Sequence, residues 1–94
     1  MKLSQLITKK VHIIGINGIG MSALAIFLKK NKIDVSGSDI AKNSNTEVLN
    51  QNGINVTIGH KEKNIQNKDI IFYSSAIKNN PEIKAAKKKN IPYF

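Results

Sequence analysis

The sequence contains no cysteine, no arginine and no tryptophan, and it has no long apolar run. Without cysteine, a disulfide framework, a thiolate metal site and a cysteine nucleophile are all excluded. The longest unbroken apolar stretch, residues 23–28, is far shorter than the roughly 20 residues that cross a bilayer. Residues 1–10 also lack the apolar centre of a signal peptide. We therefore expect a cytoplasmic protein with no membrane partner.

The formal net charge of +9 comes from 15 lysines. Proteins that read nucleic acids usually carry arginine, which forms bidentate contacts with phosphate and guanine. Lysine, isoleucine and asparagine make up 43 of the 94 residues, which indicates a general compositional bias. The densest lysine cluster, at 84–89, lies near the end of a predicted helix, where cations complement the helix dipole. We expect a solvated face and no nucleic-acid partner; a basic nucleic-acid-binding protein is the alternative.

Ninety-four residues are enough for one hydrophobic core and one domain, spanning 1–94. Short β-branched runs alternate with helical patterns, and the predicted strands are 11–16, 33–38, 54–58 and 69–73, with 91–94 as a possible fifth. This alternation predicts an α/β, Rossmann-like three-layer domain with a parallel sheet of about five strands. Ligands of such sheets bind beyond the carboxyl ends of the strands. The loops after Ile14, Gly37 and Tyr73 are therefore the candidate site.

The first and last predicted helices have clear sequence signals. Apolar residues in the first recur at i, i+3, i+4 and i+7, namely Met21, Leu24, Ala25 and Leu28. The last helix begins at Asn80-Pro81-Glu82, with asparagine at the N-cap and proline in the first turn, and runs to about Lys89. Between strands three and four, 60–67 is predicted to be a short helix or a loop.

The middle helix is predicted from a capping box, in which Ser44 and Glu47 each satisfy a backbone donor. Val48 and Leu49 are expected to face inward. Gly53 is the natural residue for the left-handed position that follows a helix.

A glycine-rich loop, Gly15 to Met21, separates the first strand from the first helix. Glycines let an anion approach the backbone, and the helix N-terminus offers N–H groups and a partial positive charge. The loop therefore favours a phosphate or diphosphate ligand; a tight turn that binds nothing is the alternative. Its spacing is G-x-x-G-x-G, and the dinucleotide fingerprint would need glycine at Asn17.

Two further loops contribute polar residues to the same edge. Asp39 stands where an acid in nucleotide-binding folds accepts hydrogen bonds from a ribose, although an ordinary turn residue is equally consistent. Ser74 and Ser75 follow the fourth strand and present two hydroxyls; a small-residue turn needed for close packing is the alternative.

The two histidines do not indicate catalysis. We expect His12, inside the first strand, to be a neutral imidazole bonded to a neighbouring backbone group or hydroxyl, whereas His60 either reaches the crevice or lies on the surface. No histidine pair has metal-ligand spacing, and no glycine precedes a lysine as in a P-loop. We therefore predict no catalytic residue, no metal ligand and no ATP hydrolysis by this chain alone.

Four ordered motifs, 12–22, 35–39, 74–77 and 80–82, resemble the N-terminal domain of the Mur ligases. Within that family they are most similar to the ligases that join L-alanine to UDP-N-acetylmuramate in peptidoglycan synthesis. The ligases that reattach recycled murein peptides are less similar, because their loop lacks the ending found here at 18–21. The family pattern usually has glycine where Asn17 stands, and 77–80 is one residue shorter than in the family.

The resemblance implies a domain that holds the UDP of UDP-N-acetylmuramate. ATP, Mg²⁺ and L-alanine would bind to a central and a C-terminal domain, which these residues do not include. The glycine loop would cradle the diphosphate, Asp39 would meet the uridine, and the serines would line the pocket. The candidate binding residues are Gly15, Asn17, Gly18, Ile19, Gly20, Met21, Ser38, Asp39, Ser74, Ser75 and Ala76. The competing hypothesis is a nicotinamide-dinucleotide-binding sensor domain, which Asn17 disfavours.

Overall fold

The computed structural model describes residues 2–94. Strands and helices alternate along the chain in the order β1 Lys10–Ile14, α1 Ile19–Lys30, β2 Asp34–Asp39, α2 Ser44–Gln51, β3 Asn55–Ile58, β4 Ile70–Tyr73 and α3 Pro81–Lys88. Two 3₁₀ turns, Leu3–Gln5 and Glu62–Ile65, complete the regular structure. The second turn confirms the short helical segment predicted within 60–67. Among residues 2–94, no helix combines the length and apolar character needed to cross a membrane.

The four strands form one parallel sheet in the order β3-β2-β1-β4. Ile14, the last residue of β1, lies beside Ser38 in β2 and beside Tyr73 in β4, so these strands end at one level. The chain proceeds outward through β2 and β3 and then returns to the other side of β1 with β4. This reversal at β1 opens a crevice above the carboxyl ends, as the predicted fold requires.

The expected fifth strand is absent from the described residues, where the sheet has four strands. Residues 91–94 run beside β4, but they form only one isolated bridge, between Ile71 and Tyr93. Three hydrogen bonds join the segment to β4: the Ile71 N–H donates to the carbonyl of Pro92 at 2.9 Å, the Phe94 N–H donates to the carbonyl of Ile71 at 2.9 Å, and the Tyr73 N–H donates to the carbonyl of Phe94 at 3.0 Å. Pro92 has no N–H of its own to donate to β4, which limits the pairing to this short stretch.

Helices cover both faces of the sheet and enclose two apolar clusters. On one face, Val11 and Ile13 of β1 pack with residues of α1 and α2, including Leu49. On the other face, Ile14 packs with Ile71, the 3₁₀ turn at Glu62–Ile65 and the apolar side of α3. Neighbouring residues of β1 thus point to opposite faces, which explains why the strand after the exposed Lys10 is buried throughout and apolar except for His12.

The predicted apolar stripe of α1 is confirmed. Ala25 and Leu28 are fully buried, and Met21 and Leu24 pack against the same cluster. The predicted start of α3 is also confirmed, because the Asn80 side chain accepts hydrogen bonds from the backbone N–H groups of the first turn. That helix ends at Lys88, one residue before the expected end.

The prediction for α2 is wrong in two details. The N-cap is Asn43 and not Ser44, and its box partner is Thr46, whose hydroxyl accepts the Asn43 N–H at 3.0 Å. Val48, expected inside, is 43% exposed, whereas Leu49 is buried. Thr46 and Leu49, three residues apart, form the inward face, and Val48 lies outside that arc. Gly53 follows the helix with a φ of +76°, as predicted.

Gly37 makes room inside β2 for the glycine-rich loop. This role of Gly37 was not predicted from the sequence. A Cβ at Gly37 would lie 2.3 Å from Cδ1 of Ile16 and 2.8 Å from the carbonyl oxygen of Ile13. Ile16, which is completely buried, therefore packs directly over the backbone of β2. The missing side chain lets the loop after β1 lie flat on the neighbouring strand.

We expect Gly37→Ala to lower the free energy of unfolding by about 2 kcal/mol or more, because either Ile16 or the strand must move. Urea denaturation measures this loss. Ala23→Gly, at an exposed position of α1, is the reference for an ordinary glycine–alanine exchange and costs about 1 kcal/mol. Equal losses of unfolding free energy in the two variants would show that the packing of Ile16 does not depend on the missing side chain at Gly37.

Candidate functional site

A cleft of about 540 Å³ lies above the carboxyl ends of β1, β2 and β4. Its size is ordinary for a small-molecule site. The three loops predicted to meet at this edge all contribute to it. It is lined by Gly15, Asn17, Gly18, Ile19, Gly20, Met21, Asp39, Asn43, Ser74 and Ile77.

The glycine loop is held in shape by the end of β2. Gly15 has a φ of +80°, a conformation that side chains disfavour. The N–H groups of Gly15 and Ile16 both donate to the carbonyl of Ser38, at 2.8 and 3.1 Å. The Gly18 N–H then closes the turn on the carbonyl of Gly15 at 3.1 Å. The loop therefore presents the start of α1 to the cleft in one defined orientation.

The N-terminus of α1 faces the cleft with its backbone donors uncovered. Gly18 is the N-cap, and no side chain among residues 2–94 caps this turn. The first N–H groups of an α-helix have no acceptor within the helix, so those of Ile19, Gly20 and Met21 are available to a ligand. A Cβ at Gly20 would meet no atom within 4 Å. Close packing therefore does not require a glycine at this position, and the space beside it is open to a ligand.

Asn17 joins the glycine loop to the segment between β2 and α2. Its side-chain Nδ2 donates to the carbonyl of Ala41 at 2.8 Å, and its own carbonyl accepts from the side-chain amides of Asn43 and Asn45. The residue is buried, and its Oδ1 has no hydrogen-bond partner among the described residues. The side chain that replaces the usual glycine is thus directed into the protein.

Asp39 is both a wall of the cleft and a support for the loop. One carboxylate oxygen accepts the N–H of Asn17 and the other accepts the N–H of Ile40, both at 2.8 Å. Each oxygen retains a lone pair for a further donor. Asp39 is also the only acidic residue that lines the cleft among residues 2–94, and no lysine among them lines it.

The remaining candidate residues take different positions. Ser74 lines the cleft, whereas Ser75 and Ala76 are exposed beside it and are not part of its wall. The Ala76 N–H donates to the Ser74 hydroxyl at 3.3 Å. Ser38 is completely buried, and its hydroxyl points away from the cleft. Sequence reasoning missed Asn43 and Ile77, which the fold adds to the lining.

Beneath the cleft, on the α3 side of the sheet, lies a buried polar cluster centred on Glu82. One carboxylate oxygen is 2.7 Å from Nε2 of His12 and 2.8 Å from the Ser38 hydroxyl. The other is about 3 Å from Nδ1 of His60, the side chain of Asn64 and the N–H of Lys61. Five donors therefore surround a side chain that is fully buried.

Both histidines belong to this cluster. His12 bonds the hydroxyl of Ser36 at 2.9 Å, as expected, but its carboxylate partner, Glu82, was not foreseen. His60 is 16% exposed, and it lies neither on the open surface nor in the cleft, because Ser38 and Glu82 engage its Nδ1. Glu82 lies 70 residues from His12 in sequence, a separation at which no periodic pattern indicates contact.

Burial raises the pKa of Glu82, but its hydrogen bonds from His12, Asn64 and Ser38, together with the charge of His12, outweigh burial and lower the pKa from 4.5 to about 2. The carboxylate is therefore ionised at neutral pH and accepts hydrogen bonds only. It follows that Nε2 of His12 carries a proton and donates a hydrogen bond to Glu82. Among residues 2–94, no group of three or more His, Cys, Asp or Glu side chains is arranged to hold a metal ion.

Residues 10–94 match a protein family described as "Mur ligase family, catalytic domain". The chain belongs to the Mur ligase family. The UDP-N-acetylmuramate–L-alanine ligase of Aquifex aeolicus is 51% identical over 85 residues, which are 89% of this chain and 19% of that ligase. The resemblance to Mur ligases found in the sequence is therefore confirmed.

Solved structures of Mur ligases share the fold. The UDP-N-acetylmuramate–alanine ligase of Thermotoga maritima superposes with a TM-score of 0.86 at 36% identity, covering 90% of this chain and 20% of that one. The Neisseria ligase that joins UDP-N-acetylmuramate to L-alanyl-γ-D-glutamyl-meso-diaminopimelate gives 0.85 at 28% identity, covering 92% and 28%. The chain thus spans about a fifth of the curated relative and of the Thermotoga structure. The two TM-scores are nearly equal, so the backbone does not distinguish the two kinds of ligase. The sequence identity is higher for the alanine ligase, at 36% against 28%.

The lowered pKa of Glu82 predicts an acid-sensitive fold. Since the folded pKa is below the unfolded value, this carboxylate stabilises the Mur ligase domain above about pH 4.5, and the contribution disappears as the pH falls toward 2. A pKa shift of this size corresponds to about 3 kcal/mol in the free energy of unfolding. Urea denaturation at pH steps from 7 to 2 should show this fall, and Glu82→Gln should remove most of it. Glu62→Gln, at an exposed carboxylate, should retain it; equal slopes in the wild type and Glu82→Gln would contradict the assignment.

Proposed function

We propose that this chain is the nucleotide-sugar-binding domain of a ligase that adds L-alanine to UDP-N-acetylmuramate in peptidoglycan synthesis. The main observation behind this proposal is the N-terminus of α1, whose backbone N–H groups face the cleft without a capping side chain from residues 2–94. Gly20 leaves open space beside these donors, because a Cβ there would meet no other atom within 4 Å. A relative that is 51% identical over 89% of this chain bears the name of that activity. The 94 residues constitute a single binding domain of the larger enzyme.

In this proposal the diphosphate lies against the N–H groups of Ile19, Gly20 and Met21. Backbone donors at a helix N-terminus, together with the helix dipole, form a ready anion site without a lysine. Asp39 accepts a hydrogen bond from a hydroxyl of the uridine moiety through its remaining lone pairs. Ser74 adds a hydroxyl from the opposite wall.

The domain contributes binding and positioning, and the rest of the ligase supplies the bond-forming step. ATP, Mg²⁺ and L-alanine are then ligands of the domains that lie outside these residues. UDP-N-acetylmuramate is the proposed partner of this chain, and the cytoplasm is its proposed location. A nicotinamide-dinucleotide-binding domain would have the same fold, but curated relatives of this chain are named as UDP-N-acetylmuramate–L-alanine ligases, which supports the nucleotide-sugar ligand.

An amide NMR titration of the 94-residue chain with UDP-N-acetylmuramate, and separately with NAD, tests the ligand. We expect saturable shifts at Gly18, Gly20, Asp39 and Ser74 with the sugar nucleotide, at a Kd in the millimolar range or below, about −4 kcal/mol. Shifts at these residues with NAD alone would instead support the dinucleotide-binding hypothesis.

Replacing Gly20 with alanine separates binding from folding. The added methyl group occupies the proposed diphosphate space, so we expect the Kd for UDP-N-acetylmuramate to rise about tenfold or more. Because alanine has the higher helix propensity, the free energy of unfolding should stay the same or rise by up to about 1 kcal/mol. Calorimetric titration and urea denaturation measure the two effects.

The matched control is Ala23→Gly on the exposed side of the same helix. It should lower stability and leave the Kd unchanged, the reverse of Gly20→Ala. Unaltered affinity in Gly20→Ala would place the ligand away from the start of α1.

A further inference from the structure

Glu82 does not line the cleft, yet its carboxylate contacts β1 and β2, two of the strands that end there. Its carboxylate reaches β2 through Ser38 and the segment after β3 through His60 and the Lys61 N–H. It reaches β1 through His12. One buried group thus joins three strands near the edge where the proposed ligand lies, and it does so from the first turn of α3.

The first route from Glu82 to the ligand passes through Ser38. The Ser38 hydroxyl donates to Glu82 at 2.8 Å, and the Ser38 carbonyl accepts the N–H groups of Gly15 and Ile16. The glycine loop is therefore two hydrogen bonds away from the buried carboxylate. Ser38 is completely buried, so water does not compete for its hydroxyl.

The second route passes through the segment between β4 and α3. Glu82 lies two residues after the N-cap of α3, and the Glu82 N–H donates to the Asn80 side chain at 2.8 Å. The segment leading to that cap carries Ile77, which lines the cleft. Cδ1 of Ile77 is 3.3 Å from the position of a Cβ on Gly15. Anchoring α3 at Glu82 therefore holds the cleft wall against the glycine loop.

The cost of burying a carboxylate argues against a purely stabilising role. A buried charge with polar partners is seldom more stable than apolar side chains of the same volume. What five directional hydrogen bonds provide, and apolar packing does not, is a fixed orientation of the groups they join. Two of those groups, His12 and Ser38, belong to β1 and β2, the strands from which the loops of the cleft begin.

We propose that Glu82 is a positioning residue for nucleotide-sugar binding, which sets the glycine loop through Ser38 and the opposite cleft wall through the start of α3. This inference rests on the proposed function. It adds a residue outside the cleft to those that determine affinity.

Three variants of the 94-residue chain test the inference: Glu82→Gln, Ser38→Ala and Ser36→Ala. Glu82→Gln keeps the shape and removes the charge, and Ser38→Ala removes the hydroxyl that bonds Glu82 and His60 while it leaves the carbonyl that holds the loop. Ser36→Ala is the matched control, because its hydroxyl bonds the same cluster through His12 and touches neither Glu82 nor the loop. The Kd for UDP-N-acetylmuramate is measured by calorimetry, and amide hydrogen exchange is measured at Gly15 and Ile16.

We expect the Kd to rise about tenfold in Glu82→Gln and about threefold in Ser38→Ala, because small displacements of binding groups reduce affinity strongly. Amide exchange at Gly15 and Ile16 should accelerate in both variants. Ser36→Ala should lose a similar amount of stability to Ser38→Ala, yet keep its Kd within about twofold and its exchange rates unchanged.

A wild-type Kd retained by folded Glu82→Gln and Ser38→Ala would overturn the inference, as would equal effects of Ser36→Ala and Ser38→Ala. If Glu82→Gln does not fold, the Kd and the amide exchange of Ser38→Ala decide whether the inference holds. Failure of the wild-type chain to bind UDP-N-acetylmuramate would overturn the proposed function instead, and amide exchange at Gly15 and Ile16 would then decide whether Glu82 positions the loop.

Discussion

The buried carboxylate of Glu82 is the interaction on which the carboxyl edge of this sheet depends. Parallel strands hydrogen-bond to one another along their length, but the loops beyond their ends have no such ladder. Here five donors from β1, β2, the segment after β3 and its 3₁₀ turn converge on one side chain at the start of α3. The edge that forms the cleft is thereby joined from beneath, where water does not compete.

Above this cluster, the cleft is suited to an anion by its backbone and not by charged side chains. The chain carries a net charge of +9, yet no lysine lines the cleft within residues 2–94. The uncovered turn of α1 and the open space at Gly20 provide the donors and the room. The basic residues give the domain an overall positive potential, which attracts phosphates from a distance without selecting among them.

Asn17 shows how a departure from a family pattern is accommodated. Glycine is usual at this position, but the conformation here does not require it, since φ is not positive as it is at Gly15. The side chain instead bonds the carbonyl of Ala41, and the Asn17 carbonyl holds Asn43 and Asn45. The loop thus gains attachments to the segment before α2. The same contact orients the Asn43 side chain, whose Oδ1 accepts the Asn45 N–H, so that Asn43 and not Ser44 caps α2.

The sequence by itself determined the alternation of strands and helices, the glycine loop at the end of β1 and the cap at Asn80, because these signals depend on residues close together in the chain. Only the tertiary structure decided that 91–94 form a single bridge beside β4, that Gly37 accommodates Ile16, and that Ser38 turns inward. Such outcomes depend on partners far apart in sequence, as His12 and Glu82 are, and packing between distant segments leaves no periodic signal.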